Sequence, residues 1–187
     1  MQAIFSKQNK KKMRHLQLIS VRRLGGNNAK AILKAANLTF QCAIGASGTS
    51  ALKREGDQAT PIATMRIVSG LYKPEARRPL GRMVSFKPIK INDGWCDSPG
   101  DPNYNRPVKL PYRNSTEALL RTDHLYDRVI ILDWNMRPRK RNCGSAIFLH
   151  VARSNNQPTQ GCIALVKKDL ERLIPYLSIK TRIIVVN

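Results

Sequence analysis

Acidic side chains are scarce in this 187-residue chain: 12 Asp and Glu stand against 33 Lys and Arg, a formal net charge of +21. Such an excess favours anionic partners or surfaces through long-range attraction, or is simply a solvated basic face, and says nothing about fold. Aromatics are only 6% of the chain, and the cations are scattered rather than gathered into a stripe with a recognisable motif. A nucleic-acid-binding protein is therefore the remote alternative, and no nucleic acid is expected as partner. Long apolar runs are missing too. No stretch approaches the roughly 20 apolar residues that cross a bilayer, so no membrane span is expected.

Cysteine pairs and metal spacings are also absent. The four cysteines form no CxxC, and Cys96, near Asp93 and Asp97, has no second Cys or His at ligand spacing. No metal and no cofactor are expected. Gly45 to Gly48 is glycine-rich, but it lacks a phosphate-binding lysine and leads into no convincing helix. Lys10-Lys11-Lys12 could open a signal peptide. Leu16 to Val21 is too short for its apolar core, contains Gln17 and Ser20, and runs into Arg22-Arg23 without a cleavage site. The expectation is a cytoplasmic protein with reduced thiols, or a periplasmic one if a leader is missing. Residues 1–14 are expected as a mobile basic tail and 15–187 as one globular domain, a monomer without internal repeats.

What is present is mainly strand signal. His15 to Leu24 ends at Gly25-Gly26-Asn27-Asn28, a hairpin turn. Leu38, Phe40, Cys42 and Ile44 alternate with Thr39, Gln41 and Ala43, so one face of that strand is buried. Ile62 to Val68, Val129 to Leu132 and Arg182 to Val186 read as further strands. Tyr72 to Leu110 is a long segment rich in Pro, Gly, Asp and Asn, with Trp95 and Tyr104 as packing anchors. Asn114 to Thr122 reads as a short helix, capped by Asn114 with Glu117 three residues on. Leu170, Leu173, Ile174 and Leu177 follow helical spacing, with Pro175 shortening the end.

The chemistry concentrates between Gly144 and Leu165. Ala146 to Leu149 is an apolar run that predicts a buried strand ending at His150, and Arg153 to Gln160 is loop. Eleven residues separate His150 from Cys162, enough for the loop to return the thiol to the imidazole. A free thiol is only a few per cent thiolate near neutrality, so an adjacent imidazole that takes its proton favours the nucleophile as an ion pair. The N–H groups of Gly161 and Cys162 could face a developing oxyanion. A buried core cysteine and a hydrogen-bonded strand-end histidine explain the same two residues.

Ser145-Ala-Ile-Phe-Leu-His150 followed by Pro158-Thr-Gln-Gly-Cys-Ile-Ala-Leu165 resembles the catalytic signature of the L,D-transpeptidase catalytic-domain family. Leu52 to Ile62, Asp93 to Asp97, Asp101 to Arg106 and Asp123 to Asp127 extend the likeness to a short, leaderless proteobacterial branch. The resemblance implies two packed mixed sheets in a β-sandwich with small helices. It implies a cysteine acyltransferase on peptidoglycan tetrapeptide stems or muropeptides, with Cys162 as nucleophile, His150 as base and Gly161 beside the oxyanion. Arg153, Tyr126, His124 and Thr159 are the expected substrate contacts. A cytoplasmic L,D-carboxypeptidase that releases D-alanine in muropeptide recycling is the close alternative. Two departures bear on recognition. Thr159-Gln160 stands where most members have Ser-His, and Ala164 where the family often has Arg or Asn.

Overall fold

The computed structural model describes residues 15–81 and 83–187. The basic tail expected over residues 1–14 lies outside them. The chain begins with three antiparallel neighbours, β1 (Leu18–Arg23), β2 (Lys30–Ala35) and β3 (Leu38–Ala43). Two short strands, β4 (Thr49–Ser50) and β5 (Thr60–Pro61), flank a loop that carries Lys53, Arg54, Glu55 and Asp57. The long β6 (Thr64–Tyr72) follows, then β7 (Phe86–Pro88). The segment rich in Pro and Gly holds β8 (Asp93–Cys96), β9 (Arg106–Lys109) and β10 (Thr116–Ala118). Last come β11 (Arg128–Leu132), β12 (Phe148–Val151), β13 (Ile163–Leu165), α1 (Lys167–Leu173) and β14 (Arg182–Val186).

The expected sandwich is not what forms. Eight strands run in the order β11-β12-β13-β3-β2-β1-β14-β6, and β6 pairs again with β11, closing a barrel. β7 is added alongside β6, while β10-β8-β9 and β4-β5 make two further small sheets. One strand explains the closure. Thr64 to Arg66 of β6 pair with β14, and Ile67 to Tyr72 pair with β11 across a register shift at Ile131/Leu132. A nine-residue strand thus joins both edges, and the irregularity supplies the bend that a closed sheet needs. Alternating buried and exposed residues look the same in a sandwich and in a barrel, so the strand pattern could not correct the sandwich that the resemblance implied.

The barrel interior is filled by Ile19, Val21, Leu33, Phe40, Met65, Ile130, Leu149, Ile163, Leu165 and Val185 among others. Leu170, Leu173 and Ile174 from α1 and the 3-10 turn after it belong to the same cluster. Pro175 lies in that turn, where the α-helix has already ended. A second cluster lies on the outer wall: Phe148, Val129, Ile131 and Cys162 pack with Trp95, Ile89, Leu119 and Tyr126. The small three-stranded sheet therefore sits against the outside of the barrel, and both expected anchors, Trp95 and Tyr104, are buried.

The helix expected over Asn114 to Thr122 is absent. Thr116 to Ala118 pair with β8 instead, opposite Cys96, Trp95 and Gly94. Both residues of the supposed cap serve tertiary partners: Asn114 Nδ2 donates to Asp101, and Glu117 accepts from the Tyr126 hydroxyl. A cap contributes only about 1 kcal/mol, less than sheet pairing and a buried charge-assisted hydrogen bond supply together. Among the described residues no helix is long and apolar enough to cross a membrane.

Candidate active site

β12 and β13 are parallel neighbours, with Leu149 opposite Ile163 and His150 opposite Ala164. Strand residues alternate between faces. Leu149, Val151, Ile163 and Leu165 enter the barrel core, while Phe148 and Cys162 join the outer cluster. His150 and Ala164 line the same external cavity as Cys162. Neighbouring strands have thus brought imidazole and thiol to one side of one wall. The cavity measures about 370 Å³.

His150 is 5% exposed, and its Nδ1 lies 2.8 Å from the Val151 carbonyl. A carbonyl only accepts, so Nδ1 carries the proton and Nε2 keeps its lone pair. Tyr126 packs edge-on to the imidazole at 5.4 Å between ring centroids, and Phe148 packs edge-on to Tyr126. The tautomer and the ring plane are both set by the protein.

Cys162 is 9% exposed. Its thiol donates to the Ala146 carbonyl at 3.1 Å and accepts from the Phe148 N–H at 3.4 Å. Burial pushes the thiol up to about 12, helped by the negative charge of Glu117. Burial also lowers His150 to about 4, with the Val151 carbonyl acting the other way. Both shifts favour neutral groups, so the resting site holds a thiol and an imidazole rather than the ion pair pictured from sequence.

The backbone around the thiol is held with equal care. Gly161 has φ +132°, and a Cβ there would meet the Ala59 carbonyl oxygen at 2.9 Å. Its N–H donates to Thr159 Oγ1 at 3.1 Å, and the same hydroxyl donates to the Cys162 carbonyl at 2.6 Å. Thr159 therefore shapes the turn that presents the thiol, and it occupies the Gly161 N–H. The Cys162 N–H has no acceptor among the described residues. Ala146, at φ +51°, turns its carbonyl to the thiol; the strand expected to start there begins at Phe148.

The cavity brings Cys162, His150, Tyr126, Arg153 and Thr159 together. It leaves out His124, whose side chain is 83% exposed and lies 3.3 Å from Asp127. Arg153 is exposed on the loop after β12 and has no ion-pair partner among the described residues. Arg121, unmarked in the sequence reading, is held by Asp123 through two hydrogen bonds of 2.9 and 2.7 Å.

The family model of the L,D-transpeptidase catalytic domain (YkuD) matches residues 28–185. The chain belongs to the L,D-transpeptidase catalytic-domain family. Neither a search of curated proteins nor one of solved structures found a match.

As an enzyme of the L,D-transpeptidase and carboxypeptidase family, the protein carries several site residues that sequence reasoning passed over. Glu55, Asp97 and Glu117 line the cavity. In the sequence Glu117 has the spacing of a cap residue, Asp97 stands out only as a neighbour of Cys96, and Glu55 lies unmarked within Leu52 to Ile62. Asn105 was missed as well. Its Oδ1 accepts from Trp95 Nε1 at 3.0 Å and from the Ala146 N–H at 3.1 Å. Its Nδ2 donates to the Trp134 and Asn135 carbonyls at 3.0 and 2.9 Å. One buried amide thus joins the small sheet to the turn whose Ala146 carbonyl accepts the thiol's hydrogen bond.

Proposed function

We propose that this L,D-transpeptidase catalytic domain performs acyl transfer on peptidoglycan tetrapeptide stems through a thioester on Cys162. The observation that carries the reading is the outer wall itself: a thiol and an imidazole with a free Nε2 open into one cavity from adjacent strands. On substrate entry the thiol leaves the Ala146 carbonyl and gives its proton to His150 Nε2. As that proton moves, sulfur attacks the carbonyl carbon at the L-centre of the diamino acid, and the carbonyl π pair moves to oxygen. The Cys162 N–H is the donor still available to that oxyanion, since Thr159 holds the Gly161 N–H. As the tetrahedral species collapses, the C–N bond breaks and D-alanine leaves with the proton from His150.

Deacylation reverses the roles. An amine attacks the thioester and its proton passes through His150 to the departing sulfur; water in its place gives L,D-carboxypeptidation. A preformed ion pair is not required, because general-base transfer in a dry site supplies the thiolate only as sulfur attacks. Stem peptides are anionic, and Arg153 has no ion-pair partner among the described residues to compete for a substrate carboxylate. Its planar fork suits that group, and Ala164 leaves the other expected position without a charge.

Incubation with a tetrapeptide muropeptide, with and without an amine acceptor, tests the proposal. The expected result is D-alanine release and an intact-mass increment on Cys162 equal to the acyl group. No release and no increment would overturn it. Arg153→Ala is expected to lower kcat/KM about tenfold or more, with Arg153→Lys recovering part. An unchanged kcat/KM would return Arg153 to the solvated surface.

A further inference from the structure

The cavity has a charge that the rest of the chain does not. In a protein of net charge +21 with 12 acidic residues, Glu55, Asp97 and Glu117 all line this one space. Two guanidiniums also line it; Arg121 is bidentate on Asp123, and its Nη1 stands 3.9 Å from Glu117, a long contact that pairs this carboxylate only loosely. Glu55 and Glu117 each accept one phenolic hydroxyl, from Tyr104 and Tyr126. Those bonds orient the carboxylates without neutralising them.

Two polar atoms of the same wall find no partner. Ser145, 8% exposed, has an unbonded buried hydroxyl, and Asp97 has an unbonded buried Oδ1. An unpaired buried polar atom costs about 1–3 kcal/mol, more when it bears charge. Glu117 adds a chemical penalty: its charge raises the Cys162 thiol further. A carboxylate that works against its own nucleophile needs another use. The acids do not converge closely enough for a metal, since among the described residues no group of three or more His, Cys, Asp or Glu could hold one. An organic cation tolerates such spacing, and Leu125 and Tyr126 offer apolar surface to its methylenes.

We propose that Glu117, with Asp97 and Glu55, forms a subsite for a primary ammonium group of the substrate. The inference rests on the acyl-transfer reading and adds a cation site beside the thiol, opposite in charge to the one assigned to Arg153. The ammonium belongs either to the side chain of the acyl donor or to the acceptor amine, and the chemistry of recognition is the same.

The test begins without turnover. ¹⁵N-labelled wild-type protein is titrated with N-α-acetyl-lysine methylamide, which carries one primary ammonium, and with its uncharged N-ε-acetyl counterpart. The expected result is that only the cation shifts the amides around Asp97, Glu117 and Cys162. Glu117→Gln should weaken that binding at least tenfold while keeping an acceptor for the Tyr126 hydroxyl. Asp97→Asn should weaken it about threefold, so a folding failure in one variant leaves the other. Equal binding of both probes, no cation-selective shift in the wild type, or undiminished binding in both variants would overturn the proposal.

Turnover then locates the ammonium. Loss of D-alanine release when the donor's side-chain amine is acetylated, an effect abolished by Glu117→Gln, assigns it to the donor. A fall in the amine-to-water product ratio in Glu117→Gln assigns it to the acceptor. Cation-selective binding in a protein that releases no D-alanine would uphold the subsite and remove the acyl-transfer reading.

Discussion

Cys42 and Cys162 belong to the same barrel and are equally dry, yet only one shares a cavity with an imidazole. Burial pushes each thiol up to about 12. Cys42 lies on β3 opposite Leu165 and packs into the barrel core among aliphatic side chains. Cys162 lies on the outer cluster, hydrogen-bonded to Ala146 and Phe148, in the cavity that His150 also lines. A raised thiol pKa therefore measures dryness and does not mark a nucleophile. What separates the two is which face of the sheet they occupy, and that face decides whether a base and a substrate can reach the sulfur.

The largest expected effect tests the contrast directly. Cys162→Ala should lower D-alanine release by at least about 10³-fold while the protein stays folded. Cys42→Ala should keep its turnover and lose on the order of 1–2 kcal/mol of stability to the small void left in the core. Steady-state rates beside denaturant melts would show it. Equal losses of activity in both variants would erase the distinction between the two faces.

The outer face also depends on a polar anchor that the core lacks. Asn105→Ala leaves the Trp95 and Ala146 donors and two carbonyls without their partner. A loss of about 3 kcal/mol is expected, measured as a shift of the urea midpoint at constant m-value. A change below about 1 kcal/mol would show that the small sheet is held to the barrel by its apolar contacts alone.

Protonation sharpens the comparison further. His150 in the folded protein is lowered to about 4, by burial first, from a usual 6.5. Between those values the unfolded chain binds more protons, so stability falls as the pH drops through the window. The expected loss at this residue from pH 7 to pH 5 is about 2 kcal/mol. His150→Asn should flatten that part of the profile, measured by urea melts at each pH. A profile unaltered by the substitution would mean that His150 is hydrated and charged in the folded state.

The smallest effect concerns the turn. Thr159→Val removes the hydroxyl that links the Gly161 N–H to the Cys162 carbonyl, and about 1 kcal/mol of stability should go with it. The substitution also frees the Gly161 N–H. A rise in kcat would show that this N–H can join the oxyanion site; a fall would show that the turn's shape matters more.

Much was legible in the chain because it is local. Period-2 alternation at Leu38 to Ile44, the Gly25-Gly26-Asn27-Asn28 turn, and the apolar spacing of Leu170 and Leu173 gave the strands, the hairpin and the helix now seen. The spacing of His150 and Cys162 was readable too, since a loop of that length can return a parallel neighbour to the strand it left. Tertiary structure alone decided three other matters. Whether the sheet closes depends on β6 meeting both β14 and β11, a pairing between residues far apart in sequence that leaves no mark on either strand's pattern. Asn114 and Glu117 had the spacing of a helix cap, but Asp101 and Tyr126 claim their side chains, and a local preference of about 1 kcal/mol yields to such contacts. The charge state of the thiol and imidazole depends on how much water the small sheet excludes from the outer wall, a quantity set by packing and invisible to spacing.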